Sequence, residues 1–366
     1  MRFTIQREDF LKPLQLVAGV VERRQTLPVL ANVLVVAEDG QLALTGTDLE
    51  VELTARIGLA GLAEPGESTL PARKLFDICR NLPEGVAIEV HVGDGRAVVR
   101  SGRSRFHLAT VPASEFPSIE DLQAAQRFAV AQGLLKALIE HTQFAMAQQD
   151  VRYYLNGMLL EVKSDSMRAV ATDGHRLAMC EVGTNGDVSD VQVIVPRKGV
   201  QELQRLLEGG DIPVEVFVGA NHIRVACDAF TFTSKLIDGR FPDYERVLPR
   251  GGDKVLLTDR DALRQALLRA SVLSNEKYRG VRMLLDDGVL RLLASNPEQE
   301  EAEEEIEVNY AGGKLEIGFN VGYLLDVLAV IEQAEIEVTF KDGDSSADIR
   351  AGGNPGCRYV VMPMRL

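Results

Sequence analysis

The sequence predicts an α+β fold built from three tandem copies of one unit, each with two helices on antiparallel sheets. Three observations carry this: short strings that return at one fixed spacing, apolar patterns that alternate between helix and strand period in the same order, and Gly/Asp turn dipeptides between strands.

The spacing comes first. Phe3-Thr4-Ile5 returns as Phe128-Ala129-Val130, Thr47-Asp48 as Thr172-Asp173, Pro71 as Pro196, and Phe116-Pro117 as Phe241-Pro242, each 125 positions later. A third copy shares less: Met158-Leu159-Leu160 returns as Met283-Leu284-Leu285, and Asn320 stands where Pro196 stood. The copies are expected to divide as 1–122, 123–249 and 250–366, the second boundary marked by the linker-like Pro249-Arg250-Gly251-Gly252.

Within a copy the order is strand, helix, strands, helix, strands. Phe10, Leu14, Val17 and Val21 follow one helix face, and Leu135, Ile139 and Met146, then Leu263, Leu267 and Ala270, repeat that face. Alternation in Gln41-Leu42-Ala43-Leu44-Thr45 predicts a half-buried strand. A second helix is expected to begin at Pro71 and at Pro196, since proline suits a first turn. Gly93-Asp94-Gly95, Asp287-Gly288 and Asp342-Gly343 predict hairpin turns.

Composition excludes several function classes. No apolar run approaches the ~20 residues of a membrane span, and Met1-Arg2-Phe3-Thr4 opens no secretory signal, so a cytoplasmic protein is expected. Cys79, Cys180, Cys227 and Cys357 are scattered and expected to be buried reduced thiols. His91, His107, His141, His175 and His222 show no metal-ligand spacing, so no metal is expected. Asp173-Gly174-His175 could serve as an acid–base pair, but no nucleophile or phosphate-cradling loop accompanies it, and an enzyme is not expected.

Charge is sorted. Between Arg96 and Arg105 stand four arginines and no acid; between Glu298 and Glu307 stand seven glutamates and no base. Both stretches read as strands, and opposite charge on two exposed edges fits a head-to-tail contact between subunits. The expected interface is Lys74, Arg96, Arg103, Arg105, Phe106 and Leu108 against Val272, Leu273, Glu298, Glu300, Glu301 and Glu304. The net charge of −14 argues against bulk attraction to nucleic acid. Basic residues nevertheless recur on the helices, at Arg23, Arg24, Arg73, Lys74, Arg197, Lys198, Arg205 and Arg264, which predicts one basic face on an acidic body.

Several strings together carry a family resemblance: Val151-Arg152-Tyr153-Tyr154-Leu155-Asn156-Gly157, Ala171-Thr172-Asp173-Gly174-His175-Arg176-Leu177, Asp238-Gly239-Arg240-Phe241-Pro242-Asp243-Tyr244 and the tail Val361-Met362-Pro363-Met364-Arg365-Leu366. From Met1 to Leu366 the sequence resembles the bacterial DNA polymerase III beta subunit family. The resemblance implies a homodimeric ring of six similar domains, helices inside and sheet outside, with no catalytic activity and no cofactor. It implies double-stranded DNA, a clamp loader, replicative and translesion polymerases and mismatch-repair proteins as partners, and a cytoplasmic, nucleoid-associated place during replication.

Carried over residue by residue, the resemblance implies DNA contacts at Arg24, Arg73, Gln149, Tyr153, Tyr154, Arg197, Lys198 and Arg282. It implies a pocket for short linear motifs at Leu155, Thr172, Gly174, His175, Arg176, Leu177, Pro242, Val247, Ser346, Val360, Met362, Pro363, Met364 and Arg365. Methionines suit a groove with many ligands, and Gly174 would let a peptide backbone approach. Leu49 replaces that glycine in the first copy, so one pocket per chain is expected.

Overall fold

The computed structural model describes residues 1–21, 27–61, 63–119, 123–184, 189–352 and 356–365. In the first copy the elements are β1 (Arg2–Gln6), α1 (Arg7–Val20), β2 (Asn32–Glu38), β3 (Gln41–Thr47), β4 (Val51–Gly58), β5 (Gly66–Pro71), α2 (Ala72–Asn81), β6 (Ala87–Gly93), β7 (Arg96–Ser101) and β8 (Ser104–Ala109). The second copy repeats them as β9 (Ala124–Ala131), α3 (Gln132–Thr142), β10 (Gly157–Val162), β11 (Ser166–Thr172), β12 (Arg176–Gly183), β13 (Val191–Pro196), α4 (Arg197–Leu206), β14 (Pro213–Gly219), β15 (His222–Ala226) and β16 (Phe230–Lys235). The third has β17 (Lys254–Asp259), α5 (Arg260–Ser271), β18 (Gly280–Asp286), β19 (Val289–Ser295), β20 (Glu301–Glu307), an added β21 (Asn309–Tyr310), β22 (Leu315–Asn320), α6 (Val321–Val330), β23 (Glu335–Phe340), β24 (Ala347–Ala351) and β25 (Cys357–Val361).

The chain's contacts cluster into two compact units rather than three. One takes Met1–Lys136 and Lys198–Leu236; the other takes 137–184, Ser189–Arg197 and Ile237–Leu366. Strand pairing explains the division. In the first unit β4 pairs antiparallel with β16, making one eight-stranded sheet, β5-β2-β3-β4-β16-β15-β14-β9. In the second, β12 pairs with β25 and gives the nine-stranded β13-β10-β11-β12-β25-β24-β23-β17-β21. Each large sheet therefore fuses half of one copy to half of the next. A four-stranded sheet remains in each unit: β1-β6-β7-β8 in the first and β20-β19-β18-β22 in the second.

The apolar faces lie where the periodicity puts them. Phe10, Leu14 and Val17 are buried on α1, which ends at Val20, with Val20 rather than Val21 completing the face. Helix α1 packs on β3, β4 and α2; α5 packs on α6, β17, β19 and β20. Pro71 and Pro196 end strands instead of opening helices: each is paired in a ladder, with Asn32 and Gly157 respectively, and the helix starts one residue later. In the third copy Asn320 caps α6, its side chain accepting from the Gly322 N–H at 2.9 Å.

The turns at Asp94-Gly95 and Asp287-Gly288 close two-residue hairpins, Gly95 and Gly288 having φ of 71° and 80°. Asp342-Gly343 does not. Gly343 is needed because a Cβ there would lie 2.5 Å from the Glu316 carbonyl oxygen. Gly46 carries a similar constraint. Its Cβ would meet Val17 Cγ1 at 2.8 Å and the Val17 carbonyl at 2.9 Å, pressing α1 off β3. Gly46→Ala should therefore destabilise the first unit by about 1–3 kcal/mol, read as a lower urea midpoint; an unchanged midpoint would refute this packing argument.

One expectation fails here. Cys180 and Cys357 are not separate thiols but a disulfide linking β12 to β25. The ladder brings together two residues 177 positions apart, which spacing along the chain cannot reveal. Cys79 and Cys227 are free.

Candidate functional site

The repeated Thr-Asp pair is a turn device. Thr172 Oγ1 donates to the Arg176 carbonyl at 2.6 Å and accepts from the Gly174 N–H at 3.1 Å, while Asp173 Oδ1 accepts from the His175 and Arg176 N–H groups. Thr47 and Asp48 make the same four bonds in the first copy. The residue after the aspartate must then be left-handed: Gly174 has φ 89° and Leu49 has φ 76°. The glycine also leaves room for a side chain, since the Arg152 guanidinium lies 3.1 Å from where a Cβ would stand. The space over Gly174 is thus occupied by Arg152.

Beside this turn is an apolar floor. Leu177 and Val360 are register partners across β12 and β25, and they cluster with Leu159, Val170, Ile194, Phe241 and Tyr244. Buried Leu155 ends the turn that follows Arg152. Tyr244 is fixed from behind, its hydroxyl donating to buried Glu161 and accepting from Arg168 Nη1 at 2.7 Å. Burial, ahead of the Glu161 contact, pushes the Tyr244 phenol up to about 12. Val247 and Met362 are 38% and 37% exposed, and Pro242 is exposed as well. Ser346 is half-buried just before β24.

Arg176 organises one wall. Its guanidinium lies 4.7 Å from the Tyr323 ring centre and 5.2 Å from that of Phe144. It pairs with Asp173 and Asp326, and Nη2 donates to the Phe144 carbonyl at 2.8 Å. His175 stacks on Tyr323 with ring centres 6.2 Å apart. The tail closes this side: the Met362 N–H donates to the His175 carbonyl and the Met364 N–H to the Gly318 carbonyl. Pro363 lies between those anchors. Tyr323, Phe144 and Asp326 belong to this wall and were not among the sequence candidates; Tyr323 and Asp326, the aromatic and the charged residue on an otherwise apolar α6, are the signal that could have marked it.

The loop before Leu155 is tightly braced. Asn156 bonds the Asp150 backbone in both directions, and Asp150 caps and pairs with Arg152. The hydrogen bond from the Arg152 side chain holds the Asp150 carboxyl down to about 2. This bracing presents Gln149, with φ 54°, and Tyr153, 56% exposed, while Tyr154 is half-buried against the Tyr153 ring.

The basic candidates separate. Arg73 and Lys74 are exposed on α2. Lys198 is ion-paired with Asp48, and Arg197 is half-buried with Nη1 donating to the Met146 carbonyl at 3.0 Å. Arg23 and Arg24 lie outside the described residues. Arg282 lies on β18 rather than on a helix. Its β18 neighbours Val281 and Met283 are buried, and its own side chain is exposed, 3.4 Å from Glu316 and beside Arg365 in a cavity also lined by Tyr278.

The charged candidates fall on two strand edges. Arg105, Phe106 and Leu108 lie on β8, which is the edge of its sheet, with Arg96 on the neighbouring β7 and Arg103 in the connecting turn. Glu301 and Glu304 lie on the edge strand β20, Glu298 and Glu300 in the turn before it. Val272, 76% exposed, and half-buried Leu273 follow α5. Arg269 pairs with Glu304 at 2.6 Å. Among the described residues no His, Cys, Asp and Glu cluster could hold a metal, and no helix is long and apolar enough to cross a membrane.

Comparison with known proteins settles the family. Models of the DNA polymerase III beta subunit match at residues 1–120 (N-terminal domain), 129–243 (central domain) and 245–365 (C-terminal domain). The chain is 60% identical over 367 residues to the beta sliding clamp of Pseudomonas aeruginosa, with all of both chains covered. The chain belongs to the DNA polymerase III beta subunit family. The beta sliding clamp of Escherichia coli K12 is 54% identical over 366 residues, again with full coverage of both. Among solved structures, the Pseudomonas aeruginosa sliding clamp bound to griselimycin superposes with a TM-score of 0.97 at 59% identity, covering all of both chains. The Caulobacter crescentus beta sliding clamp, with polyethylene glycol at its putative beta-motif tethering region, gives 0.95 at 41% identity, covering all of this chain and 99% of that one.

Proposed function

We propose that two copies of this chain close head to tail into a ring around double-stranded DNA and tether DNA polymerase to it, a binding role without catalysis. The observation that carries this is the arithmetic of the junctions. The last β3 residue, Thr47, pairs with Glu52; Thr172 of β11 pairs with Leu177; Ser295 of β19 pairs with Glu301. Leu53, Ala178 and Ala302 are therefore equivalent. On the other side Phe106, Phe232 and Tyr359 are equivalent, paired with Val99, Val225 and Ile349. Leu53 faces Phe232 and Ala178 faces Tyr359, the same register twice. The two strands left over are β8 and β20, with opposite charge. One more junction of the same kind, between chains, puts Ala302 against Phe106, Glu303 against Arg105 and Glu301 against His107. Glu303 and His107 join the interface set through this register, with Lys74 and the Val272-Leu273 pair at its borders.

A ring with α1 to α6 inside presents Arg24, Arg73 and Lys198, with Gln149, Tyr153 and Tyr154 on the braced loop, to DNA backbone without reading sequence. Half-buried Arg197 supports that face, and exposed Arg282 on β18 is kept as a further DNA contact. The pocket around Leu177, Val360 and the tail receives short linear motifs from the clamp loader, replicative and translesion polymerases and mismatch-repair proteins. Copy boundaries near 122 and 249 belong to this proposal, and a cytoplasmic, nucleoid-associated location follows from the role. The test uses a nicked DNA circle. Protein loaded on it should survive salt that strips ordinary basic binders and leave once the circle is cut to a linear form. Equal salt sensitivity on both substrates would refute encirclement.

A further inference from the structure

We propose that Cys180 and Cys357 form a reversible redox clasp: peroxide closes it and small-molecule thiols open it, fastening or releasing the chain's last strand. The pair is positioned by the ladder. The Glu181 N–H donates to the Gly356 carbonyl, so the next register pair, Cys180 and Cys357, is a non-hydrogen-bonded one, where facing side chains come closest. The sulfurs are bonded in the structure, and the two residues are 3% and 4% exposed.

The consequences follow from where β25 leads. It runs directly into Met362, whose N–H is held by the His175 carbonyl, and Val360 on the other face is part of the pocket floor. A link closing a segment of 177 residues takes much conformational freedom from the opened chain. The clasp therefore resists peeling of β25 and of the tail rooted on it. The structure shows the closed form; on the proposed cytoplasmic location, where thiols are kept reduced, the open form also exists and oxidative stress closes it.

The chemistry balances. One thiolate attacks peroxide, giving a sulfenic acid and one water; the second sulfur displaces the sulfenic hydroxyl as a second water and forms the S–S bond. Two electrons pass from the thiol pair to peroxide. Two small thiols reverse the step, supplying two electrons and two protons and becoming a disulfide themselves. Cys79 is an internal reference. It is a free cysteine buried on α2, away from the Cys180–Cys357 pair, and so has no disulfide to close or open.

The test uses the full chain. After hydrogen peroxide, then unfolding and alkylation, two of the four cysteines should be unmodified by mass, with one cross-linked peptide joining 180 to 357; after dithiothreitol all four should alkylate. Amide exchange over Arg358–Val361 should be at least about tenfold slower in the oxidised protein, the lower end of what such a link confers. Cys357→Ser, or Cys180→Ser if the first folds poorly, should lose that difference. Four alkylated thiols after peroxide, equal exchange in both redox states, or a serine variant that keeps the difference would each overturn the clasp.

Discussion

Replacing Glu301 and Glu303 together by lysine will dissociate the chain into single copies at concentrations where the parent is paired. Both side chains lie on the exposed edge strand β20, on the face away from the helices. In the shared register they meet His107 and Arg105, with Arg96 and Arg100 one strand behind. Changing two acids to two bases exchanges attraction for repulsion in a row of arginines. Like-charge juxtaposition across an interface costs several kcal/mol, which is on the order of 100-fold or more in Kd. Mass photometry across a dilution series reads the shift. The register makes a sharper demand. Cys180 and Cys357 are bonded within the chain, and their equivalents at the open junction are Glu304 and Ser104. A chain carrying both Glu304→Cys and Ser104→Cys should form covalent dimers under mild oxidation, and neither single change should. Covalent dimers absent from the double variant, or lysine variants that pair as tightly as the parent, would remove the proposed closure.

Ending the chain at Val361 will abolish partner binding and leave the fold nearly intact. The residues beyond it are held by two backbone hydrogen bonds, from Met362 and Met364, and Met362 is part-exposed beside the proposed pocket. Losing two exposed hydrogen bonds costs about 1–3 kcal/mol, so the melting temperature should fall by only a few degrees. A partner peptide that buries the two methionines loses roughly 1.5–3 kcal/mol at each, at least about 100-fold in affinity together. Surface plasmon resonance with an immobilised polymerase or loader subunit measures this. A truncated chain that binds as before would move the pocket elsewhere. A truncated chain that unfolds would make the tail part of the core.

Much of this was readable before any coordinates. Helix faces such as Phe10, Leu14 and Val17 are legible because burial follows a short local period. The charge sorting on β8 and β20 is legible because it lies in two short undiluted stretches of the chain, Arg96–Arg105 without an acid and Glu298–Glu307 without a base. The Thr-Asp repeat was visible, but its reason was not. It is a capped turn in both copies, and Gly174 accommodates Arg152 rather than open space. Where Arg282 points was not legible, because one residue's parity along a strand decides its face and the start of β18 is not fixed by local pattern. Arg176 was named, but not the aromatic wall of Phe144 and Tyr323 that holds it.

The sequence by itself determined the repeat, the order of elements in each copy and the two opposed charged strands, since each of these is a local or periodic property of the chain. Only the tertiary structure decided that the compact units straddle the repeats, that Cys180 meets Cys357, and that β8 and β20 are left as sheet edges. Those depend on which strand lies beside which. Backbone hydrogen bonds between strands are the same for every residue type, so the choice of neighbour is made by long-range packing rather than by any local string.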